Sequence, residues 1–584
     1  MSTVLLPVTS LELGQYVDPG PVVSSISHRD LAGLRVVFIN MPLRESAVPN
    51  TTPEGPLMLA TNLRDNYGVE ASIIDLNAYR IKDQLAQERG LPNGRHLTLA
   101  EAEELIKKHI LFHGEPNLVA FSGIITTLPW QKAVAKLIRR LLPDVFLVSG
   151  NGLATELRLG LFNYIPELDG VAHSEGDEVI LKIAYDAKAI RDRGRTSAVN
   201  WGEVQPYYRG FINGRHRFLY DGGRPKDLDS LAIADLELLR EDVNGNRLLE
   251  CYIGNANWGV SANNSSATSF AMSRSTTFVS SRGCPHACDF CFRGAQGERT
   301  YGVFSGKRLA RIFLSHIDKY GVDFIGMPDD NFAVTQKRIV QDIEPWLAPL
   351  KMRWGTHTRM DEAAGRHPKT GLVEDPKRID SMAKAGCVYI GFGAESASPP
   401  VLEAMHKGGF ILSNGMVTVK VDGREMEFPR SMVEGTENCE YAGIHANCTW
   451  IMAYPTETLA NLKQSVAFMR WQEQFYAQCG KGPETVNKRM FTATWYPGTS
   501  MGNHPKVRQM LWEVFGIQFD QFDQPICDEN FEQYVLELDD ATKLLHNPKT
   551  GDPLNYSDMP MDVFLRAREL VDSGRTLEIL DLTG

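Results

Sequence analysis

Short apolar runs and amphipathic stretches alternate through two long sections of this 584-residue chain. In residues 33–190 the runs Arg35–Asn40, Glu70–Ile74, Leu118–Ser122, Val145–Ser149 and Gly170–Ala172 read as strands. Between and after them Leu57–Tyr67, Leu99–Phe112, Trp130–Leu142 and Asp177–Ala187 carry helical periodicity. Runs that are apolar on both faces suit strands covered on both sides. The section therefore predicts an α/β fold, a doubly wound, Rossmann-like domain of about five strands. Residues 276–500 alternate again. Thr277–Ser280, Asp323–Met327, Arg353–His357, Val388–Phe392, Ala446–Met452 and Met490–Trp495 read as strands. Gly306–Tyr320, Gln336–Leu347, Pro376–Ala385, Pro400–Met405 and Leu459–Gln474 read as helices between them. Six strands with intervening helices predict a complete or partial parallel barrel.

The remaining segments frame these two. Residues 1–32 read as a lead-in, 191–275 as a linker with helical pieces such as Leu228–Leu239, and 501–584 as a C-terminal cap. The last has helical patterns at Lys506–Phe515 and Met561–Asp572 and a turn at Asn547–Gly551. Residues 408–429 interrupt the barrel pattern, and their Asp422-Gly423 between alternating runs predicts a β-hairpin, either covering the barrel mouth or decorating the surface. In doubly wound sheets ligands bind at the carboxyl ends of strands. Those ends read Met41-Pro42, Ser122 to Thr127 (with Thr126), Ser149-Gly150-Asn151-Gly152 and His173-Ser174-Glu175-Gly176, mostly small or polar residues suited to close approach of a large ligand. Ordinary turns of a scaffold domain would look similar.

Composition narrows the class. Hydrophobic residues make up 43% and charged residues 23%, ordinary for a soluble globular protein. A net charge of −11 argues against a bulk nucleic-acid or anionic-membrane binder. No run of about 18 apolar residues occurs, and Met1–Pro7 lacks the basic start of a signal peptide, so no membrane span and a cytoplasmic location are expected. Nine cysteines, an odd number, disfavour a disulfide framework. Six of them, Cys251, Cys387, Cys439, Cys448, Cys479 and Cys527, are scattered and read as buried hydrophobes.

The other three lie within eight residues, Cys284-Pro285-His286-Ala287-Cys288-Asp289-Phe290-Cys291, directly after the first barrel strand. Thiolates are soft ligands, and three on one loop can converge on an iron–sulfur cluster that keeps one iron open. Zinc is the rival, since Cys284, His286, Cys288 and Cys291 offer four N or S atoms. A second C-x₂-C half is not evident. Other polar candidates near the strand ends are His357, His445, Tyr454 and Tyr496, each open to substrate contact, proton transfer or a structural hydrogen bond.

C-x₃-C-x₂-C with Phe290 before its last cysteine resembles the radical S-adenosylmethionine (SAM) enzymes. The resemblance extends through Gly391 to Ser396, Val401-Leu402, Met405-His406-Lys407-Gly408, Tyr454-Pro455-Thr456-Glu457-Thr458 and Tyr496-Pro497-Gly498-Thr499. It implies a [4Fe–4S] cluster on Cys284, Cys288 and Cys291, SAM chelated at the open iron, and a 5′-deoxyadenosyl radical on reduction. It further implies Phe290 near the adenine, Glu395 and Ser396 near the ribose or amino-acid portion, and Arg359 at the carboxylate. Many relatives carry Gly-Gly-Glu after strand two for the SAM amino group. Here that position reads Pro328-Asp329-Asp330-Asn331, and Asp330 is the candidate, with helix capping the competing role for both aspartates. A doubly wound domain ahead of the barrel resembles the cobalamin-binding subgroup, with Thr52–Leu57 and the Ser122, Ser149 and His173 strand ends as matching features. A D-x-H-x-x-G lower-ligand motif is absent, as is typical of the subgroup. The resemblance implies methyl transfer from methylcobalamin to an unactivated atom of a small-molecule or peptide intermediate, with an electron donor such as flavodoxin or ferredoxin. A cyclase or rearrangement enzyme, and a non-catalytic electron carrier or redox sensor, are the alternatives.

Overall fold

The structure is a computed structural model. It describes residues 25–43, 51–79, 97–193, 208–212, 215–253, 272–292, 300–367, 370–538 and 544–583. Most of the lead-in and much of the linker lie outside the described residues.

The first sheet contains β1 (Arg35–Asn40), β2 (Glu70–Asp75), β3 (Leu118–Ser122), β4 (Phe146–Gly150), β5 (Gly170–His173), β6 (Tyr208–Ile212) and β7 (Arg215–Asp221). Its order is β2-β1-β3-β4-β5-β7-β6, parallel except for the β6 edge. All of β3 is buried, and so is β1 after its first residue, as apolar runs covered on both faces require. The sheet has seven strands rather than about five. The hairpin β6–β7 comes from the stretch expected as linker, and its pairing partner β5 lies more than 40 residues earlier, beyond the reach of local periodicity. The expected helical piece Leu228–Leu239 is two short 3₁₀ turns, Leu228–Ser230 and Leu236–Leu239.

The second sheet takes β8 (Ser275–Thr277), β11 (Phe324–Met327), β12 (Arg353–Thr358), β13 (Cys387–Glu395), β16 (His445–Met452) and β17 (Met490–Thr492) in chain order, all parallel. β8 and β17 stand at opposite edges, so this is a half-barrel. The first strand ends earlier than its apolar run. Asp329, buried after β11, accepts hydrogen bonds from the Ser280 and Ser281 backbone N–H groups (2.6 and 3.1 Å) and from the Ser280 hydroxyl, which bends the chain out of the sheet. A short antiparallel pair, β9 (Ser281–Arg282) and β10 (Gly302–Val303), then closes the base of the cysteine loop.

The hairpin of β14 (Met416–Val421) and β15 (Arg424–Pro429) forms at Asp422-Gly423, where both residues adopt positive φ (49° and 80°) as a type I′ turn demands. Asp422 pairs with Arg470 at 3.1 Å, and Phe428 packs edge-to-face on Phe468, both partners lying on the outer helix Leu459–Gln478. The hairpin is a surface decoration; it runs down the outside of the barrel, away from the mouth.

Residues after β17 bridge both units. Tyr534 donates to the Trp495 carbonyl (2.6 Å) and Tyr164 to the Asp528 carbonyl (3.0 Å), tying the helix Glu529–Glu537 to the first domain. Arg568, on the helix Met561–Asp572, donates to the Met490 carbonyl of the last barrel strand (3.0 Å). Among the described residues no helix is long and apolar enough to cross a membrane.

Candidate functional site

The first sheet reverses its winding between β1 and β3, the switch point at which doubly wound sheets leave a crevice. A cavity of about 510 Å³ opens there. Its inner part penetrates between the strands and two helices, Glu54–Tyr67 and Gly176–Arg193, past Phe38, Ala120, Val148 and Ala172 on one side and Leu59, Val179 and Ile183 on the other. Its outer part is closed by the half-barrel: Val279, Ser281, Arg282 and Gly283 after β8, Phe292 after the last cysteine, and Pro328 and Asp330 after β11.

The two units are clamped around this cavity. The Thr52 hydroxyl donates to the Thr277 carbonyl (3.2 Å), and the Val279 N–H donates to the Glu54 carboxylate (2.6 Å). Arg282 bridges Glu175 (2.7 Å) and Asp177 (2.5 Å), and Arg224 also pairs with Glu175 (2.5 Å). Burial pushes the Glu54 carboxyl up to about 7, against the opposing pull of the Val279 hydrogen bond and Arg282.

The cysteine loop hangs beside the same opening. Gly283, at φ 77°, starts it; a side chain there would meet the Thr300 carbonyl oxygen at 2.5 Å. Asp289 accepts from His406 (2.6 Å) through its carboxylate and from Met501 N–H (2.9 Å) through its carbonyl, and its own N–H donates to the Met405 carbonyl (3.1 Å). Cys288 is buried, Cys284 half-buried, and Cys291 accessible within a concave mouth where surrounding protein pushes its thiol up to about 12. Among the described residues no three His, Cys, Asp or Glu side chains are grouped closely enough to hold a metal ion.

Several candidate residues meet at this mouth. Phe290 lies edge-to-face with buried Tyr454 (6.5 Å between centroids). Lys407, which sequence reasoning passed over as a site residue, places its ammonium 5.7 Å from the Phe290 ring and 3.5 Å from the Glu395 carboxylate. Its signal was an ionisable residue within the Met405–Gly408 motif. Glu395 ends β13 in a left-handed conformation (φ 63°) after a register shift, which turns its carboxylate back over Gly393. Burial raises the Glu395 carboxyl and Lys407 opposes that rise. His357 occupies space left by Gly391, where a Cβ would lie 2.5 Å from the imidazole, and burial pushes its pKa down to about 4.

The structure places the other candidates as follows. Ser122, Gly150, Asn151, Glu175 and Gly176 line the switch-point cavity together with Asp330, whose carboxylate accepts from Gly283 N–H and is pushed up by burial. Thr126 donates to the Leu43 carbonyl (2.8 Å), Ser149 to Gln131 (2.7 Å), and Gly152 N–H to the Asn151 side chain (2.7 Å); none of the three lines the cavity. Ser396 is fully buried against Ser465 (3.1 Å) and accepts from Ser398 N–H (3.1 Å). Arg359 is buried and points at Asp361, Cys288 and the Lys407 backbone. Tyr496 is half-buried, its carbonyl accepting from the Thr499 hydroxyl (2.7 Å). His445 stacks on Tyr389 (6.0 Å) inside the barrel.

Comparison with known proteins agrees with this architecture. No family model matches the chain. It is 24% identical over 486 residues to an uncharacterised methyltransferase of Pyrococcus horikoshii, covering 81% of this chain and 84% of the relative. It is 20% identical over 326 residues to the anaerobic magnesium-protoporphyrin IX monomethyl ester cyclase of Rubrivivax gelatinosus, covering 56% and 52%. Among solved structures it superposes on OxsB, a cobalamin-dependent SAM radical enzyme with aqua-cobalamin bound, with TM-score 0.54 and 15% identity; the match covers 84% of this chain and 64% of OxsB. It also superposes on TsrM, a radical SAM methyltransferase of Kitasatospora setae with cobalamin and a [4Fe–4S] cluster bound, with TM-score 0.51 and 16% identity, covering 84% and 78%. The fold is that of cobalamin-dependent radical SAM enzymes.

Proposed function

We propose that this chain is a cobalamin-dependent radical SAM methyltransferase acting on an unactivated atom of a small-molecule or peptide intermediate. One observation carries the reading: the switch-point cavity and the cysteine loop share a wall. Phe292, adjacent to Cys291, lines the cavity, as do Ser281–Gly283 immediately before Cys284. Two cofactor sites that open on one another can serve one substrate with water excluded. The match to the methyltransferase of Pyrococcus horikoshii along most of both chains supports the reaction class.

The residues fit the cofactors. Three thiols on one loop suit a cluster with an open iron, and the buried cation Arg359 beside them suits the negative charge of thiolate ligands. Lys407 and Glu395 form a buried ion pair at the mouth, complementary to the carboxylate and ammonium of an amino acid such as the methionyl portion of SAM. Phe290 offers a ring face to a flat base, held edge-to-face by the buried Tyr454. The apolar inner slot between sheet and helices suits a flat heteroaromatic group, and small or polar Ser122, Gly150, Asn151 and Gly176 at its rim suit a broad amide-bearing macrocycle. When bound, SAM on a reduced cluster supplies a 5′-deoxyadenosyl radical, and methylcobalamin supplies a methyl group that a carbon radical accepts. The chain's own part is to hold the pieces in register through Thr52, Glu54 and Arg282, and to wall the space with Phe292. An external one-electron donor of the flavodoxin or ferredoxin class completes the scheme.

A second reading, a radical cyclase or rearrangement enzyme without methyl transfer, is favoured by the match to the cyclase of Rubrivivax gelatinosus over 56% of this chain. Anaerobic reconstitution with iron, sulfide and hydroxocobalamin tests both. Retention of cobalamin through gel filtration, and formation of 5′-deoxyadenosine from SAM and dithionite, are expected. Loss of cobalamin on the column overturns the methyltransferase reading. An intact cluster that forms no 5′-deoxyadenosine overturns the radical one.

A further inference from the structure

Arg359 follows the third barrel strand, β12, and is 6% exposed. Its guanidinium donates to three partners. Nε donates to Asp361 (2.9 Å), Nη2 to the Lys407 carbonyl (3.1 Å), and Nη1 to the sulfur of Cys288 (3.6 Å). The Cys288 contact spans 71 residues of sequence and the Lys407 contact 48, so one planar cation fastens the cysteine loop to the turn carrying Lys407. A lysine in its place would be a point charge without a fork able to reach all three.

A neutral thiol gains little from such a cation. A thiolate bound to iron gains a charge-assisted N–H···S hydrogen bond in a setting where interior charges act strongly. Hydrogen bonds to the sulfurs and local charge are among the factors that set the potential of an iron–sulfur centre. Reduction adds one negative charge, so a fixed cation at the sulfur favours the reduced state.

We infer that Arg359 is a positioning and tuning residue, which holds Cys288 by an N–H···S bond and raises the reduction potential of the cluster carried by the three cysteines. This rests on the iron–sulfur reading above. Asp361 gives the inference a sign test. Its carboxylate sits on the Nε edge of the same guanidinium and partly cancels its charge.

The experiment is a potentiometric titration of the reconstituted full chain, followed by the electron paramagnetic resonance signal of the reduced cluster. Arg359→Gln is expected to shift the midpoint to more negative potential at unchanged iron and sulfide content, with altered g-values. Arg359→Lys, which keeps the charge and loses the fork, is expected to fall between it and the wild type. Asp361→Asn is expected to shift the midpoint the opposite way. Loosening of the loop alone would move Arg359→Lys and Asp361→Asn in the same direction, and that result overturns the inference. So does an Arg359→Gln or Arg359→Lys protein with a full cluster and the wild-type midpoint. A wild-type chain that assembles no cluster is a separate outcome, which overturns the underlying reading instead.

Discussion

Lys407 and Glu395 meet at 3.5 Å in the barrel mouth, each about nine-tenths buried, with the Phe290 ring 5.7 Å from the ammonium. The two lie twelve positions apart in sequence, across the whole turn from the end of β13 to the motif Met405–Gly408. A buried pair of this kind is not in itself a source of stability, because both ions leave water. Its arrangement matches a zwitterion, and that makes it the first place to probe.

Lys407→Met should weaken SAM binding to the reconstituted protein by roughly 10–150-fold, the loss expected for one hydrogen bond to a charged group. Equilibrium dialysis with labelled SAM measures it. Glu395 loses its nearest cation in this variant while staying buried, so a loss of stability of up to about 3–5 kcal/mol is also expected. Glu395→Gln, which leaves a neutral partner, should lose affinity with a smaller loss of stability. SAM affinity unchanged in both variants would remove the pair from the binding site.

Cys288→Ala should abolish the cluster absorption and SAM cleavage while sparing cobalamin retention, because the cavity lining comes from the first domain, the β8 and β11 loops and the residue after Cys291. Iron analysis and the visible spectrum of the same sample separate the two effects. Joint loss of both cofactors would show that the two sites do not form independently.

Arg282 ties Glu175 and Asp177 of the first domain to the first barrel loop. Its side chain is 20% exposed, and those of the partners 16% and 11%, so solvent screens the pairs little. Arg282→Met leaves two carboxylates without that partner at the cavity rim. A loss of about 3–5 kcal/mol is expected, read as a lowered thermal midpoint, together with poorer cobalamin retention.

Glu54 predicts a pH dependence. Its folded pKa of about 7 lies above the ordinary glutamate value of 4.5, because burial disfavours the charged carboxylate. Between these values the unfolded chain has released its proton and the folded chain keeps it. Stability therefore falls as pH rises from about 4.5 to 7, by about 3 kcal/mol over the window, and levels off above it. Glu54→Gln should flatten this part of the profile. Thermal midpoints of both proteins between pH 5 and 8 provide the check; parallel profiles would exclude Glu54 as the group responsible.

Much of this architecture is legible in the sequence. Strands covered on both faces must be apolar throughout, so the runs at Arg35 and Leu118 could be little else. The Asp422-Gly423 turn announced its hairpin because few residues tolerate two successive positive φ angles. The strand pair Tyr208–Ile212 and Arg215–Asp221 went unrecognised, since its place in the sheet depends on a distant edge. Thr126, Ser149 and Gly152 were candidates by adjacency to a strand end, yet the structure turns them onto Leu43, Gln131 and Asn151. Adjacency fixes a residue's level along the strand axis, whereas its side-chain direction is set by packing.

The chain by itself determined the chemistry on offer: three soft ligands on one loop, the order of the parallel strands that carry it, and a second α/β unit ahead of it. Local periodicity and ligand spacing are properties of neighbouring residues, so they survive in one dimension. Only the tertiary structure decided which charges face one another. Arg359, a candidate for the SAM carboxylate from sequence, donates to Asp361, the Cys288 sulfur and the Lys407 carbonyl, and Lys407 stands at the mouth with Glu395. Such pairings join strand-end loops far apart along the chain. They depend on how the half-barrel brings those loops level and which polar groups it leaves too buried to remain without a partner.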